Sequence, residues 1–84
     1  MPAHRKDVAY QGSANYESWN VALWLSNDEG MYNACVKLAQ NRKNPNGLGR
    51  ALKRYVGEGR FGDLTVHEMR RVRWEDVART FLEE

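Results

Sequence analysis

The chain has 84 residues, which is room for one domain, and three Trp, four Tyr and two Phe are available for its small core. No stretch approaches the roughly 20 apolar residues that cross a bilayer, and the opening residues are polar, so we expect a cytosolic protein without a signal peptide. Cys35 is the single cysteine, which excludes an intramolecular disulfide and any zinc site built from paired cysteines.

The net charge is only +2, but the charges are unevenly distributed along the chain. Residues 7–36 carry four acidic and no basic side chains, whereas residues 37–73 carry ten basic and three acidic ones. Residues 74–84 are acidic again, with four carboxylates and one arginine. This pattern indicates either a surface that faces a polyanion or helices whose opposite charges meet when they pack.

A first helix is predicted directly after Asn15, whose side chain is a suitable N-cap, and it should end at about residues 25–26. Tyr16, Trp19 and Leu23 recur at helical spacing on one face of this helix. Because aromatic side chains bury large areas, we expect this face to be the buried centre against which the other helices assemble.

A second helix is predicted with almost no linker after the first. Ser26 and Glu29 match the S-x-x-E capping box, which marks a helix start. Met31, Cys35 and Leu38 then fall on one broad apolar face. The two helices should therefore form a tight corner.

A loop is predicted at residues 41–47, N-R-K-N-P-N-G, because the residue before a proline avoids the helical conformation. A third helix should follow from about Leu48 to Val56, with Leu52 and Tyr55 on its apolar stripe and basic residues opposite. Glycines at positions 57, 59 and 62 indicate a further loop, in which Phe61 is the expected anchor.

A short fourth helix is predicted by a second capping box, formed by Thr65 and Glu68, and it should run to about Arg71. A break near residues 72–73 should follow, because the apolar stripe that begins at Trp74 is out of phase with the residues before it. The last helix is therefore expected to start at about this tryptophan.

These patterns predict an all-α fold, a compact single domain of four to five short helices at residues 15–84 behind a flexible N-terminal arm at residues 1–14. No strand alternation is evident. The predicted core consists of Tyr16, Trp19, Leu23, Met31, Cys35, Leu38, Leu52, Val56, Val77, Ala78 and Phe81.

Residues 15–32, N-Y-E-S-W-N-V-A-L-W-L-S-N-D-E-G-M-Y, resemble the opening of a family of small phage and prophage proteins. That family begins N-Y-E-T-W-N-V-A-L-W, followed by N-D-E and an aromatic residue, and Ser18 stands where Thr is usual. Members often close with a W-x-E-I-A-x-x-L-L-E-like helix, to which Trp74–Glu84 is similar. The resemblance covers both ends of the chain and does not extend to residues 41–73. The resemblance implies a phage-like genetic setting and no particular reaction. Small phage proteins without enzyme motifs are frequently inhibitors of host systems, including anti-CRISPR and anti-restriction proteins.

The chain shows no residue pattern typical of catalysis, so we expect a protein that is not an enzyme and uses no metal or cofactor. Helix capping explains Asp28 and Glu29. His4 and His67 have no partner at metal-ligand spacing. Cys35 lies on an apolar helix face, which favours a small core residue over a nucleophile.

The strongest functional signal is a set of cations on the third helix and before the last one. Such clusters bind phosphates or acidic protein grooves, although a solvated face balanced by the acidic flanks is an equal alternative. Trp24 lies about 140° around the helix from Trp19, so it belongs either to the core or to a surface that contacts a partner or a second copy of the chain. The candidate partner-binding residues are Arg50, Lys53, Arg54, Arg70, Arg71, Arg73 and Trp24.

The leading hypothesis is a phage-type binding protein of the host cytosol that inhibits a host defence complex, anti-CRISPR-like in class, by occlusion through this basic surface. Its partner would be a host protein or nucleoprotein complex, and no membrane is involved. The alternative is a small nucleic-acid-binding regulatory protein whose cations contact the phosphate backbone.

Overall fold

The computed structural model describes residues 15–57 and 59–82, and the predicted N-terminal arm lies outside these ranges. The described residues form five helices and no strand, which confirms the all-α class. An isolated antiparallel bridge joins Phe61 to Leu64 in the loop before α4. No helix in these two ranges has the length and apolar character needed to traverse a lipid bilayer. The helices are α1 (Tyr16–Asn27), α2 (Glu29–Asn41), α3 (Pro45–Val56), α4 (Val66–Met69) and α5 (Trp74–Leu82).

The core lies where α3 packs along α5, the most extensive helix contact in the described part of the chain. A Cβ atom on Gly49 would lie 3.0 Å from the backbone carbonyl of Trp74, so the missing side chain lets the two helices approach closely. Leu48 and Leu52 of α3 are fully buried against this contact. The buried apolar residues are Val21, Ala22, Leu25, Cys35, Ala39, Leu48, Leu52, Leu64, Met69, Val72, Val77, Ala78 and Phe81.

Five of the predicted core residues are buried, and four more are partly buried against that core. The buried five are Cys35, Leu52, Val77, Ala78 and Phe81. The partly buried four are Tyr16, Met31, Leu38 and Val56.

The predicted buried face of α1 is wrong at Leu23, which is 37% exposed, and Trp19 is only half-buried. The face that packs inward is Ser18, Val21, Ala22 and Leu25, which repeats at i, i+3, i+4 and i+7. Both faces of this helix satisfy helical spacing. The smaller side chains are buried because they let α1 lie close to α2 and α5, while the bulky rings remain at the edge of the contact.

Two predicted helix starts are also wrong. Ser26 lies inside α1, and the N-cap of α2 is Asp28, whose carboxylate accepts a hydrogen bond of 2.9 Å from the Met31 N–H. Helix α3 begins at Pro45 rather than Leu48, because proline at the first helical position needs no N–H partner. Asn44 caps this start by accepting a hydrogen bond of 2.7 Å from the Asn46 N–H.

The features predicted around α4 are largely confirmed. The Thr65 hydroxyl accepts a hydrogen bond of 3.2 Å from the Glu68 N–H, and the Glu68 carboxylate accepts one of 2.8 Å from the Thr65 N–H. This reciprocal capping box starts a helix that ends at Met69, two residues earlier than predicted. The chain leaves the helix before α5 starts at Trp74, and Phe61 anchors the preceding loop on the core.

Candidate basic interaction surface

The polar residues at the start of α1 hold the segment between α4 and α5 in place. Asn15 accepts a hydrogen bond of 2.9 Å from the Ser18 N–H as the cap of α1, and its amide donates one of 2.9 Å to the Arg71 carbonyl. The Ser18 hydroxyl accepts a hydrogen bond of 2.7 Å from the Arg73 N–H. The backbone of the arginine-rich segment is therefore fixed to α1 by residues more than 50 positions away.

A second group of contacts fixes the turn at residues 61–64 on α1. The Asn20 amide donates hydrogen bonds of 3.2 Å to the Tyr16 hydroxyl and to the Asp63 carboxylate, and its oxygen accepts one of 3.4 Å from the Asp63 N–H. Gly62 has φ +58°, and a Cβ atom there would lie 2.5 Å from the Trp24 indole ring. Trp24 thus covers a glycine that no other residue can replace without displacing the ring.

Two of the predicted binding arginines are paired with carboxylates. Arg71 Nη1 lies 3.6 Å from Glu17 Oε2, and Arg73 Nε lies 4.0 Å from Asp76 Oδ2. Both arginine side chains stay more than half exposed, so each pair stabilises the fold by at most about 1 kcal/mol. The pairing nevertheless reduces the positive charge that this segment offers to a partner.

The other four predicted cations lie exposed and form no ion pair with any described residue. Lys53 at the end of α3 and Arg70 after α4 line one hollow of about 320 Å³. We call it the Lys53–Arg70 hollow. Its remaining lining is mostly apolar and consists of Gly57, Val66, Met69, Val72 and Trp74.

A second hollow, of about 460 Å³, lies on the other flank of α3. Arg50 and Arg54 line it together with Arg42 from the end of α2 and with Tyr55, whose side chain is 44% exposed. We call it the arginine hollow. Its other lining residues are Leu38, Gly47 and Ala51.

A smaller hollow of about 210 Å³ lies between these two, since it contains Arg50 from one flank and Lys53 from the other. Trp74 and Glu75 complete its described charged or aromatic lining. The three hollows and their cations together form a continuous surface along α3, which we call the basic face.

Several residues of the basic face were not predicted from the sequence. Arg42 was treated only as part of a loop, although it ends the helix next to α3. Tyr55 was assigned to the apolar stripe of α3, yet its side chain is 44% exposed and lines the arginine hollow. Trp74 packs partly against the core, as its stripe predicts, and it also lines the Lys53–Arg70 hollow. Trp24 is 41% exposed but lines none of the three hollows, so the structure does not bring it to the basic face.

Among the described residues, the single thiol is buried and no cluster of metal-ligating side chains is present. Burial raises the pKa of the Cys35 thiol to about 11, so this cysteine carries no thiolate near neutral pH. No three His, Cys, Asp or Glu side chains among residues 15–57 and 59–82 group together to hold a metal ion. What the surface offers is unpaired cations beside apolar and aromatic groups.

Fold and surface together define a small all-α domain in which α1 is scaffold and α3 carries the basic face. The chain belongs to a family of unknown function, DUF7249, whose sequence pattern matches residues 6–83. Comparison with curated proteins and with solved structures gave no match. The family description names no activity, so the basic face is the guide to function.

Proposed function

We propose that the protein is a small phage-type binding protein, not an enzyme, that inhibits a host defence complex in the host cytosol by occlusion, in the manner of anti-CRISPR proteins. The observation that carries this proposal is the Lys53–Arg70 hollow, in which two unpaired cations lie beside an apolar floor. The resemblance of residues 15–32 to phage proteins supports the genetic setting.

The floor of this hollow favours a protein partner over a bare phosphate backbone. Trp74 offers a partly exposed aromatic ring, and Val66 is 44% exposed, while the buried Met69 completes the apolar lining. Binding energy at protein interfaces concentrates where aromatic and cationic side chains lie together at a desolvated centre. An acidic segment of a host protein that carries an apolar side chain would complement both features of the hollow. Its carboxylates would pair with the cations, and its apolar side chain would pack on the floor.

Rigid support of the hollow suits occlusion, since a preformed surface loses little entropy on binding. Arg70 precedes a backbone segment that Asn15 and Ser18 hold on α1, and Lys53 lies on a helix packed along α5. The backbone positions that carry the two cations are therefore fixed by contacts within the fold.

The experiment is affinity capture from a host lysate, followed by titration calorimetry with the captured protein. The double variant Lys53→Glu/Arg70→Glu should lose at least tenfold in affinity, because it places carboxylates beside an acidic partner. The matched control Lys37→Glu/Arg60→Glu makes the same change in charge at exposed residues that line none of the three hollows.

Capture should survive nuclease treatment of the lysate, since the partner is a protein. If the control loses as much affinity as the hollow variant, net charge alone governs binding and the proposed site is wrong. If no protein remains after nuclease treatment, the proposed function itself fails.

A further inference from the structure

The arginine hollow differs chemically from the Lys53–Arg70 hollow. Three guanidinium groups, those of Arg42, Arg50 and Arg54, line it, and none of them forms an ion pair with a described residue. No carboxylate is among its described lining residues. The site therefore concentrates positive charge with no internal compensation.

Guanidinium groups differ from ammonium groups in what they bind. Their planar N–H donors match the oxygens of a phosphate in pairs, and they also stack on flat rings. Three arginines and no lysine thus favour phosphate groups over a diffuse acidic surface. Arg50 and Arg54 lie about one helical turn apart on the same side of α3, so they can bind neighbouring phosphates.

Tyr55 adds an aromatic surface at the edge of the same hollow. Its side chain is 44% exposed, although it lies on a helix whose apolar face is buried. Exposed aromatic rings beside a positively charged groove are typical of proteins that bind single strands, because an unpaired base can stack on the ring. A duplex keeps its bases stacked internally and gains nothing from such a ring.

The floor of the arginine hollow leaves room for a ligand to approach the backbone of α3. Gly47 and Ala51 carry the smallest side chains of α3 on this flank, and a Cβ atom added to Gly47 would meet nothing within 4 Å. A nucleic-acid backbone can therefore reach the helix surface between the arginines.

We propose that the arginine hollow binds the phosphodiester backbone of single-stranded nucleic acid, with one base stacked on Tyr55. This inference goes beyond the proposed function, because it requires no protein partner and uses the opposite flank of α3. Both activities together suit a nucleoprotein target, whose protein and strand would contact the two flanks of one helix.

The test is fluorescence anisotropy of a labelled oligothymidylate of about 15 nucleotides, titrated with the full chain at several salt concentrations. If the three arginines neutralise three phosphates, the logarithm of the association constant should fall linearly with the logarithm of the salt concentration, with a slope of about −2. Arg54→Gln should make this slope shallower by about 0.7. Tyr55→Ala should weaken binding at least about fivefold and leave the slope unchanged, because stacking releases no counterions.

Gly47→Glu separates binding from folding. The new side chain meets no atom at its Cβ position, and an acidic residue in the first turn of α3 is favoured by the helix dipole, so the fold is retained. Its carboxylate enters the arginine hollow and should weaken oligothymidylate binding at least about tenfold. The matched control Asn33→Glu makes the same change in charge on the exposed surface of α2, outside the hollow, and should stay within about threefold of wild type.

Three results would overturn the inference. The first is no oligothymidylate binding below about 100 μM at low salt. The second is equal or tighter binding of polyglutamate or of a duplex of the same length, which would identify an acidic protein or duplex shape as the ligand. The third is an equal loss of affinity in Gly47→Glu and Asn33→Glu. None of these results bears on capture of a protein through Lys53 and Arg70, so failure here leaves the proposed function testable on its own.

Discussion

Ser18→Ala should destabilise the protein even though it removes a single oxygen atom from α1. Ser18 is fully buried, and its hydroxyl accepts a hydrogen bond of 2.7 Å from the Arg73 N–H at the start of α5. Alanine leaves this backbone donor without its partner in a part-buried position, which costs about 1–3 kcal/mol. The higher helix propensity of alanine offsets about 0.5 kcal/mol of that loss. The expected net loss in free energy of unfolding is therefore about 0.5–2.5 kcal/mol.

The measurement is thermal and urea unfolding followed by circular dichroism at the helix band. For a domain of this size, a loss of about 0.5–2.5 kcal/mol lowers Tm by about 2–20 °C. Ser26→Ala is the matched control, because Ser26 lies on the same helix and forms no hydrogen bond with a described side chain or backbone group beyond the helix itself. The control should unfold at or slightly above the wild-type temperature. An Ser18→Ala protein as stable as wild type would refute the role assigned to this hydroxyl.

The remaining predictions concern packing, capping and ionisation, and each is checked by unfolding or reactivity measurements. Gly49→Ala should lose about 1–2 kcal/mol of unfolding free energy in urea, because its Cβ would lie 3.0 Å from the backbone of α5. The Cβ of the control Gly47→Ala would meet no atom, so this variant should gain about 0.5 kcal/mol. A change of the same sign in both variants would contradict the close contact between α3 and α5. In urea unfolding, Thr65→Ala should lose about 1 kcal/mol of unfolding free energy, because it removes the capping box of α4. The control Thr80→Ala removes no cap and should lose less. Cys35 should resist a disulfide reagent at pH 8 until the protein is unfolded, since burial raises the pKa of its thiol to about 11. Because folding raises that pKa from 9.0, the protonated thiol stabilises the folded protein in full below pH 9. This contribution to the free energy of unfolding is lost as pH rises from 9 to about 11. Cys35→Ala should lack this part of the loss of stability at alkaline pH. An identical loss of stability in Cys35→Ala and in the wild-type protein would contradict this role of the buried thiol.

The structure explains the polar residues of the opening motif as scaffold. Asn15 and Ser18 hold the segment before α5, and Asn20 holds Asp63 in the loop before α4. A threonine in place of Ser18 would carry the same hydroxyl acceptor, so the departure from the phage-like pattern keeps the chemistry of that contact. The residues proposed to bind partners accordingly lie on α3, at Arg42 and at Arg70, outside the motif.

The division of the basic residues follows from the same contacts. Arg71 and Arg73 are next to carboxylates of α1 and α5, whereas Arg70 lies beside Lys53 in an apolar hollow. Three arginines that are near neighbours in sequence thus have different surroundings. The proposed protein contact and the proposed nucleic-acid contact depend on this separation, because each uses cations that no described carboxylate neutralises.

Local sequence signals determined the helical class, the break before α5 and the capping box at Thr65, since each depends on residues within one or two turns of one another. Only the tertiary structure decided which face of α1 is buried, because Leu23 and Leu25 both lie on stripes of helical period and the choice depends on what packs against them. The same holds for the basic face. Arg42 lies beside Arg50, and Lys53 beside Arg70, because separate elements of the chain pack together in space. Residue spacing along the chain predicts contacts within one or two helical turns, but it does not predict contacts between separate helices.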